Sequence, residues 1–210
     1  MPTTSEIRVL CVDDHNLMRE GVVRILGLQP DIRVVAEAGS GEEAIDQFKQ
    51  HRPDVTLMDL RMRGMNGLQA IEAIREIDRD ARVVVLTMYS GDEDIHRALQ
   101  AGAVGYLLKD TVPDDLIRVI REVHQGKQAI PPDVAAALAV RATQPTLTVR
   151  EYQVLELLAT GKRNKEIAAE LGISSDTARA HVKSIFVKFN VHDRTTALGE
   201  ALRRGIIHIG

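Results

Sequence analysis

The chain has 210 residues, 44% hydrophobic and 27% charged, which suits one large or two small cores. Its single cysteine, Cys11, excludes an internal disulfide framework and a cysteine zinc site, and no apolar run approaches the ~20 residues needed to cross a bilayer. The net charge of −3 is uneven, with +3 on residues 147–210 and −6 on residues 1–146, so a polyanion partner is expected at the C-terminal end only.

The opening MPTTSEIRVL has no basic segment leading into a long apolar one. No secretory signal is therefore expected, and the expected location is cytoplasmic, away from membranes. From residue 7 to residue 127, short β-branched runs (IRVLCV, RVVAEA, VTLM, VVVLT, VGYLL) alternate with helical patterns over 17–28, 42–50, 68–77, 92–101 and 114–125. Five such units predict an α/β fold, a parallel sheet with helices on both faces. Right-handed crossovers favour the doubly wound, flavodoxin-like strand order, in which ligands gather beyond the carboxyl ends of the strands. Residues 128–146, bracketed by Pro131, Pro132 and Pro145, read as a linker whose Ala-rich middle can form a helical turn or more. From Leu147 onward every pattern is helical, which predicts a small all-α domain over 147–210.

Asp59 follows the third strand, and Asp13 and Asp14 follow the first. The predicted order makes those strands neighbours, so three carboxylates converge on one rim. Without a partner they repel and at least one pKa rises. Mg²⁺, which prefers oxygen ligands, removes that conflict. Asp59 can also attack a phosphoryl group, a transfer that needs mainly positioning and charge neutralisation. Thr87 ends the fourth strand and Lys109 the fifth, so a hydroxyl and an ammonium are expected on the same rim. Tyr106 is expected on the opposite face of its strand from Lys109. The ordinary alternatives are a turn or helix-cap role for each Asp, a solvated Lys and a β-forming Thr. Cys11 is expected in the core and His15 at the start of the first helix.

These residues in this order resemble the receiver domain of two-component response regulators, over residues 7 to about 127. The resemblance implies that Asp59 is the phospho-acceptor, Thr87 and Tyr106 are switch residues, and Lys109 is the conserved lysine. It implies a Mg²⁺ site from Asp13, Asp14, Asp59 and the Arg61 backbone carbonyl, and a histidine kinase or small phosphodonor as the source of phosphoryl groups. The chain departs from many receivers at Arg63 and Asp110, where proline is frequent. Arg61 and Tyr89 stand at positions that tune hydrolysis in the family.

VVAEAGSGEEA, residues 34–44, contains a G-x-G-x-x-A pattern similar to a dinucleotide fingerprint, which would imply a nucleotide-dependent oxidoreductase. Glu42 and Glu43 would repel a pyrophosphate there, and Ser40 with Glu43 instead spells a capping box.

In the C-terminal part, NKEIAAELGISSDTARAHVKSIFVKF reads as a helix, a turn at Gly172 and a longer helix capped by Ser174 or Ser175. Ala178, Val182, Ile185 and Phe189 form its apolar stripe. Arg179 and Lys183 lie on a neighbouring face, and Ala180 and Ser184 are small enough for close approach to a groove. This is a helix-turn-helix pattern, and an amphipathic bundle with a solvated basic face is the plainer alternative. Arg179 and Lys183 are candidates for base edges or phosphates, and Thr177, Lys165 and Lys188 for phosphates. Residues 147–207 resemble the LuxR/NarL-type DNA-binding domain. The resemblance implies a double-stranded DNA partner and pairing of two such domains through the last helix, from Arg194 to Arg204.

The expected molecule is a transcriptional response regulator, with a receiver over 1–127, a linker over 128–146 and a DNA-binding domain over 147–210. Phosphorylation of Asp59 is expected to favour a homodimer, and no enzymatic role is expected beyond self-phosphorylation and self-dephosphorylation. The remaining alternative is a phosphate-independent regulator that uses its receiver only to dimerise.

Overall fold

The structure, a computed structural model, describes residues 6–88 and 91–208, with the Asp133 side chain left out. The chain divides into two compact units, the main division falling between Ala135 and Ala136, with residues 91–94 grouped with the second unit. The first unit is built around five parallel strands in the order β2-β1-β3-β4-β5: β1 (Ile7–Val12), β2 (Ile32–Ala38), β3 (Val55–Met58), β4 (Val83–Thr87) and β5 (Gly105–Leu108). Helices α1 (Asn16–Gly27), α2 (Gly41–His51), α3 (Gly67–Ile77), α4 (Asp92–Ala101) and α5 (Pro113–His124) follow the strands in turn. The expected flavodoxin-like order is the observed one.

Strands covered on both faces need apolar residues at successive positions, which is why β3 and β4 are short continuous apolar runs rather than alternating ones. Val9, Leu57, Val84, Ile117 and Ile120 are buried within one core. The helix starts are set by local chemistry. Ser40 Oγ accepts the Glu43 N–H ahead of α2, and Asn66 with Gln69 closes a reciprocal capping box ahead of α3. Pro113 opens α5, where its missing N–H costs nothing.

Strand register brings the rim residues together. Val12 pairs with Met58, so Asp13 and Asp59 leave their strands at the same level. The Asp59 N–H donates to Val12 O at 3.0 Å and the Asp13 N–H to Ala38 O at 3.0 Å. On the other side Thr87 pairs with Leu108, and the Lys109 N–H donates to Thr87 O at 2.8 Å.

The segment expected as a linker contains α6 (Pro132–Ala142), about three turns, in line with the expected helical turn or more. Beyond it, the second unit holds α7 (Val149–Ala159), α8 (Asn164–Leu171), α9 (Ser175–Phe189) and α10 (Arg194–Arg203). Val154, Leu155, Leu158, Ile167, Ala178, Ile185 and Ala197 form their shared core. Gly172 closes α8 at a φ of 64° and Asn190 closes α9 at a φ of 54°, both left-handed. No helix among the described residues is long and apolar enough to cross a membrane.

Candidate functional site

Asp13, Asp59, Thr87 and Lys109 meet at the carboxyl ends of β1, β3, β4 and β5; the first three are buried, and the Lys109 side chain is only 3% exposed. Lys109 Nζ lies 2.7 Å from Asp13 Oδ2 and 2.8 Å from Asp59 Oδ2, so one ammonium bridges two carboxylates. Burial would push the Lys109 pKa down, but the hydrogen bonds and charges of Asp13 and Asp59 outweigh it and raise the pKa above its ordinary value. Asp59 is raised as well. Burial drives that shift, Lys109 opposes it, the nearby charge of Asp13 adds to it, and a backbone hydrogen bond from Arg61 pulls the other way.

The two oxygens of Asp13 do different work. Oδ1 accepts the His15 backbone N–H at 2.9 Å, the turn role common for an Asp after a strand, and Oδ2 faces Lys109. His15 caps α1 by its backbone, and its ring Nδ1 lies 2.8 Å from Asp14 Oδ1 without hydrogen-bond alignment. Asp14 Oδ1, Asp59 Oδ1 and Thr87 Oγ1 are buried and have no hydrogen-bond partner among the described residues. Such orphans are rare in a folded protein and mark a place that a ligand completes. Asp13, Asp14, His15 and Asp59 each offer one ligand atom, all within 4.8 Å of one another. Asp14 and Asp59 each keep an unspent oxygen beside the Asp13 carboxylate, and an all-carboxylate set of this kind fits a hard divalent cation. Tyr106, on β5, is fully buried. Tyr89 lies outside the described residues.

Gly67 is a site residue that the sequence patterns did not single out. A Cβ there would lie 2.0 Å from the Asp59 carbonyl oxygen, so only glycine lets α3 start against the acceptor's own backbone. Its signal was the repeated glycine in MRGMNG. Gly41 has a similar explanation. A Cβ would lie 2.6 Å from Met65 O, and Glu42 accepts the Met65 N–H at 3.0 Å. The glycine motif of residues 39–44 therefore packs one loop against another. Glu43 completes the cap one residue further back than a capping box requires, taking the Gly39 N–H at 2.7 Å. Cys11 is buried, and burial together with the Asp13 charge pushes its thiol up to about 12, which leaves it protonated and inert.

In the second unit α8 and α9 form the helix-turn-helix. Ser174, not Ser175, caps α9, accepting the Thr177 N–H at 3.0 Å. The predicted stripe of Ala178, Val182, Ile185 and Phe189 is buried. Arg179, Ala180, Lys183, Thr177 and Lys165 are exposed. Arg179 has only a loose ion pair with Asp176 at 3.5 Å.

Two residues differ from expectation. Lys188, expected at a phosphate, has its ammonium 2.6 Å from Glu151 Oε2 and 2.9 Å from Thr146 O. Ser184, expected at the groove, donates to Glu151 Oε1 at 2.6 Å. Burial would raise the Glu151 pKa, but hydrogen bonds from Lys188, Ser184 and Thr148 outweigh it and hold the carboxyl at about 2. Glu151 is thus an internal anchor that ties α7 to α9 and draws both side chains inward. Nothing in the residue types alone distinguished Lys188 from the exposed Lys183.

The family model of the response regulator receiver domain matches residues 9–121, and that of the LuxR family of bacterial regulatory proteins matches residues 145–201. A nitrate/nitrite response regulator protein homolog of Haemophilus influenzae is 40% identical, covering 91% of this chain and 94% of its own. A probable transcriptional regulatory protein NarL of Mycobacterium tuberculosis is 36% identical, covering 98% of each chain. Among solved structures, the response regulator ChrA of a heme-sensing two-component system is 36% identical with a TM-score of 0.59, covering 97% of this chain and 100% of its own. The response regulator RcsB, solved as a complex with DNA, is 26% identical with a TM-score of 0.70, covering 95% and 99%. With a receiver fold followed by a helix-turn-helix and relatives across nearly its whole length, this chain belongs to the NarL/LuxR-type two-component response regulators, which bind DNA and regulate transcription.

Proposed function

We propose that Asp59 is the phospho-acceptor through which a histidine kinase or a small phosphodonor controls DNA binding by this regulator. The carrying observation is a buried carboxylate with one unpartnered oxygen, flanked by Lys109 and by the unpartnered hydroxyl of Thr87 on neighbouring strand ends. A carboxylate oxygen of Asp59 attacks the phosphorus, and the bond from phosphorus to the donor atom breaks with its electron pair leaving on the donor. Lys109 and Thr87 supply an ammonium and a hydroxyl to the transferred oxygens. Asp13, Asp14 and Asp59, with the Arg61 carbonyl, would hold Mg²⁺. When bound, that ion neutralises the charge that builds on the phosphoryl oxygens.

The phosphoryl group adds about −1.5 to −2 charges if it behaves as other protein phosphates do. Thr87 and Lys109 then turn toward it, Tyr106 repacks, and the receiver favours a homodimer. Residues 1–127 act as the receiver, 128–146 as the linker and 147–210 as the DNA-binding domain, in the cytoplasm. Helix α9 enters the major groove. Arg179 and Lys183 reach base edges or phosphates, Ala180 allows close approach, and Thr177 and Lys165 meet the backbone. Lys188, spent on Glu151, is left out of this set.

The test treats wild type and Asp59→Asn with phosphodonor and Mg²⁺ and reads intact mass and light scattering. Wild type gains one phosphoryl group and dimerises, and Asp59→Asn does neither. Dimerisation and DNA affinity that are equal in both proteins after treatment would favour the phosphate-independent regulator instead.

A further inference from the structure

Strand β5 is an edge of the sheet, and it carries Tyr106 and leads into Lys109. An uncovered edge presents unpaired backbone groups. Here residues just after α5 cover it. Gly105 and Ala129 form a parallel bridge. The Ala129 N–H donates to Val104 O at 3.0 Å, and the Tyr106 N–H donates to Ala129 O at 3.3 Å. Ala129 is 6% exposed, whereas Gly126, Lys127 and Gln128 before it are exposed. A Cβ on Gly105 would stand 3.2 Å from Ala129 O, so the bare glycine lets the segment lie close.

The chain beyond Ala129 is stiff. Ile130 leads into Pro131 and Pro132, and α6 begins at Pro132, with Val134 buried. Each proline has its φ locked near −65°. Two consecutive prolines between a docked residue and a helix leave little slack to absorb a displacement.

We infer that residues 128–130 are a docked edge segment that transmits movement of β5 at Tyr106 to helix α6, and so carries the phosphorylation signal out of the receiver. The peptide that supports the switch aromatic is the one that holds the linker. A shift of β5 that lengthens either bond undocks Ala129, and the proline pair passes that change to the start of α6. This rests on the Asp59 reading for its trigger, but the docking itself does not. A covering segment with no signalling role would protect the edge and leave phosphorylation and DNA affinity coupled whether docked or not.

The experiment has two arms on the full chain. In the first, hydrogen exchange without phosphodonor should show the Ala129 amide protected to the same degree as those of β5. Exchange at the rate of an amide with no hydrogen bond would overturn the proposal. In the second, Ala129→Pro, which removes the donor to Val104 O, is compared with Ala129→Gly, which keeps it. Both should gain one phosphoryl group by intact mass. The phosphodonor-induced gain in DNA affinity should be lost in Ala129→Pro, to within about twofold of none, and kept in Ala129→Gly. Full retention in Ala129→Pro would overturn the coupling.

If Ala129→Pro does not fold, Gly105→Ala replaces it. That change keeps every donor but crowds Ala129 O at 3.2 Å and the Val84 methyls at 3.2 and 3.3 Å. It is therefore made in a Val84→Ala background, which relieves the second clash, and is compared with Val84→Ala alone. A reduced gain there supports the coupling and an unchanged gain overturns it. A wild type that takes up no phosphoryl group is seen in its mass and counts against the Asp59 reading. The exchange arm still decides whether the edge is docked.

Discussion

Lys109 shows how one side chain sets the energetics of the rim. It neutralises parts of two buried carboxylates at 2.7 and 2.8 Å, and each would otherwise be an uncompensated buried charge. Removing Lys109 would leave both carboxylates unpaired, a loss of the kind that costs about 3–5 kcal/mol, whereas neutralising Asp59 leaves Lys109 paired with Asp13. The raised pKa of Asp59 sharpens this into a stability statement. A carboxyl held higher in the folded state than in the unfolded one favours folding while it is protonated. That advantage is lost as pH rises from the ordinary value of 3.8 through the raised one, so at neutral pH the Asp59 charge is a burden. Asp59→Asn should therefore raise the thermal midpoint of the metal-free protein at pH 7. Mg²⁺ should raise the midpoint of wild type much more than that of the variant. At a hundredfold excess over its dissociation constant a ligand contributes about 2.7 kcal/mol. Equal Mg²⁺ shifts in the two proteins, measured by calorimetry, would remove Asp59 from the cation site.

At the scale of the helix, α9 turns one face to Glu151 and the domain core and leaves Arg179 and Lys183 exposed on another. The Glu151 carboxyl is at about 2 against an ordinary 4.5, so its stabilisation is complete above about pH 4.5 and is lost as pH falls toward 2. The difference corresponds to on the order of 3 kcal/mol. Acid unfolding of residues 147–210 should show this loss, and Glu151→Gln should flatten it. Lys188→Ala leaves the carboxylate buried and unpaired and should cost toward ~3 kcal/mol. A stability loss under ~0.5 kcal/mol, the range of ordinary surface substitutions, would return Lys188 to the phosphate contacts. The outward face behaves differently. Arg179→Ala combined with Lys183→Ala should leave the melting curve nearly unchanged and weaken DNA binding. As phosphate contacts, the two together account for ~1.8 in the slope of log affinity against log salt. An unaltered slope would mean that another face of the domain meets the DNA. The sequence pattern identified that face because an amphipathic helix declares its buried stripe. It did not reveal that Ser184 and Lys188 turn inward, because the partner that draws them, Glu151, lies 33 and 37 positions away.

Among the described residues, two clusters of buried side chains share no members. One draws on the strands and helices of the first unit, and the other only on residues from Val154 onward. Each set closes without members of the other, so residues 147–210 expressed alone should fold cooperatively. Circular dichroism should report the helix content of α7 to α10, and a non-cooperative melt would show that the domain needs the rest of the chain. A near-complete switch, from 1:99 to 99:1, needs about 5.5 kcal/mol of differential stabilisation. If the proposed undocking occurs, the two hydrogen bonds to Ala129, at a net ~0.5–1.5 kcal/mol each, would supply part of that. Dimer contacts between phosphorylated receivers would have to supply the rest.

Order and chemistry were determined by the sequence alone: five alternating strands and helices, the acids and the lysine at particular strand ends, and a capped helix pair with one apolar stripe. Those features are local, because strand length, helix period and cap chemistry are written in neighbouring residues. Only the tertiary structure decided which polar groups are spent and which are left over. Asp13 shares its two oxygens between His15 and Lys109, Glu151 pairs with the Lys188 ammonium, Gly67 admits α3 against Asp59, and Ala129 bonds to the edge of β5. Apart from the turn to His15 and the loop from Asp59 to Gly67, each of these joins residues distant in the chain. Pairings at that distance follow from packing and register, which no short window of residues encodes.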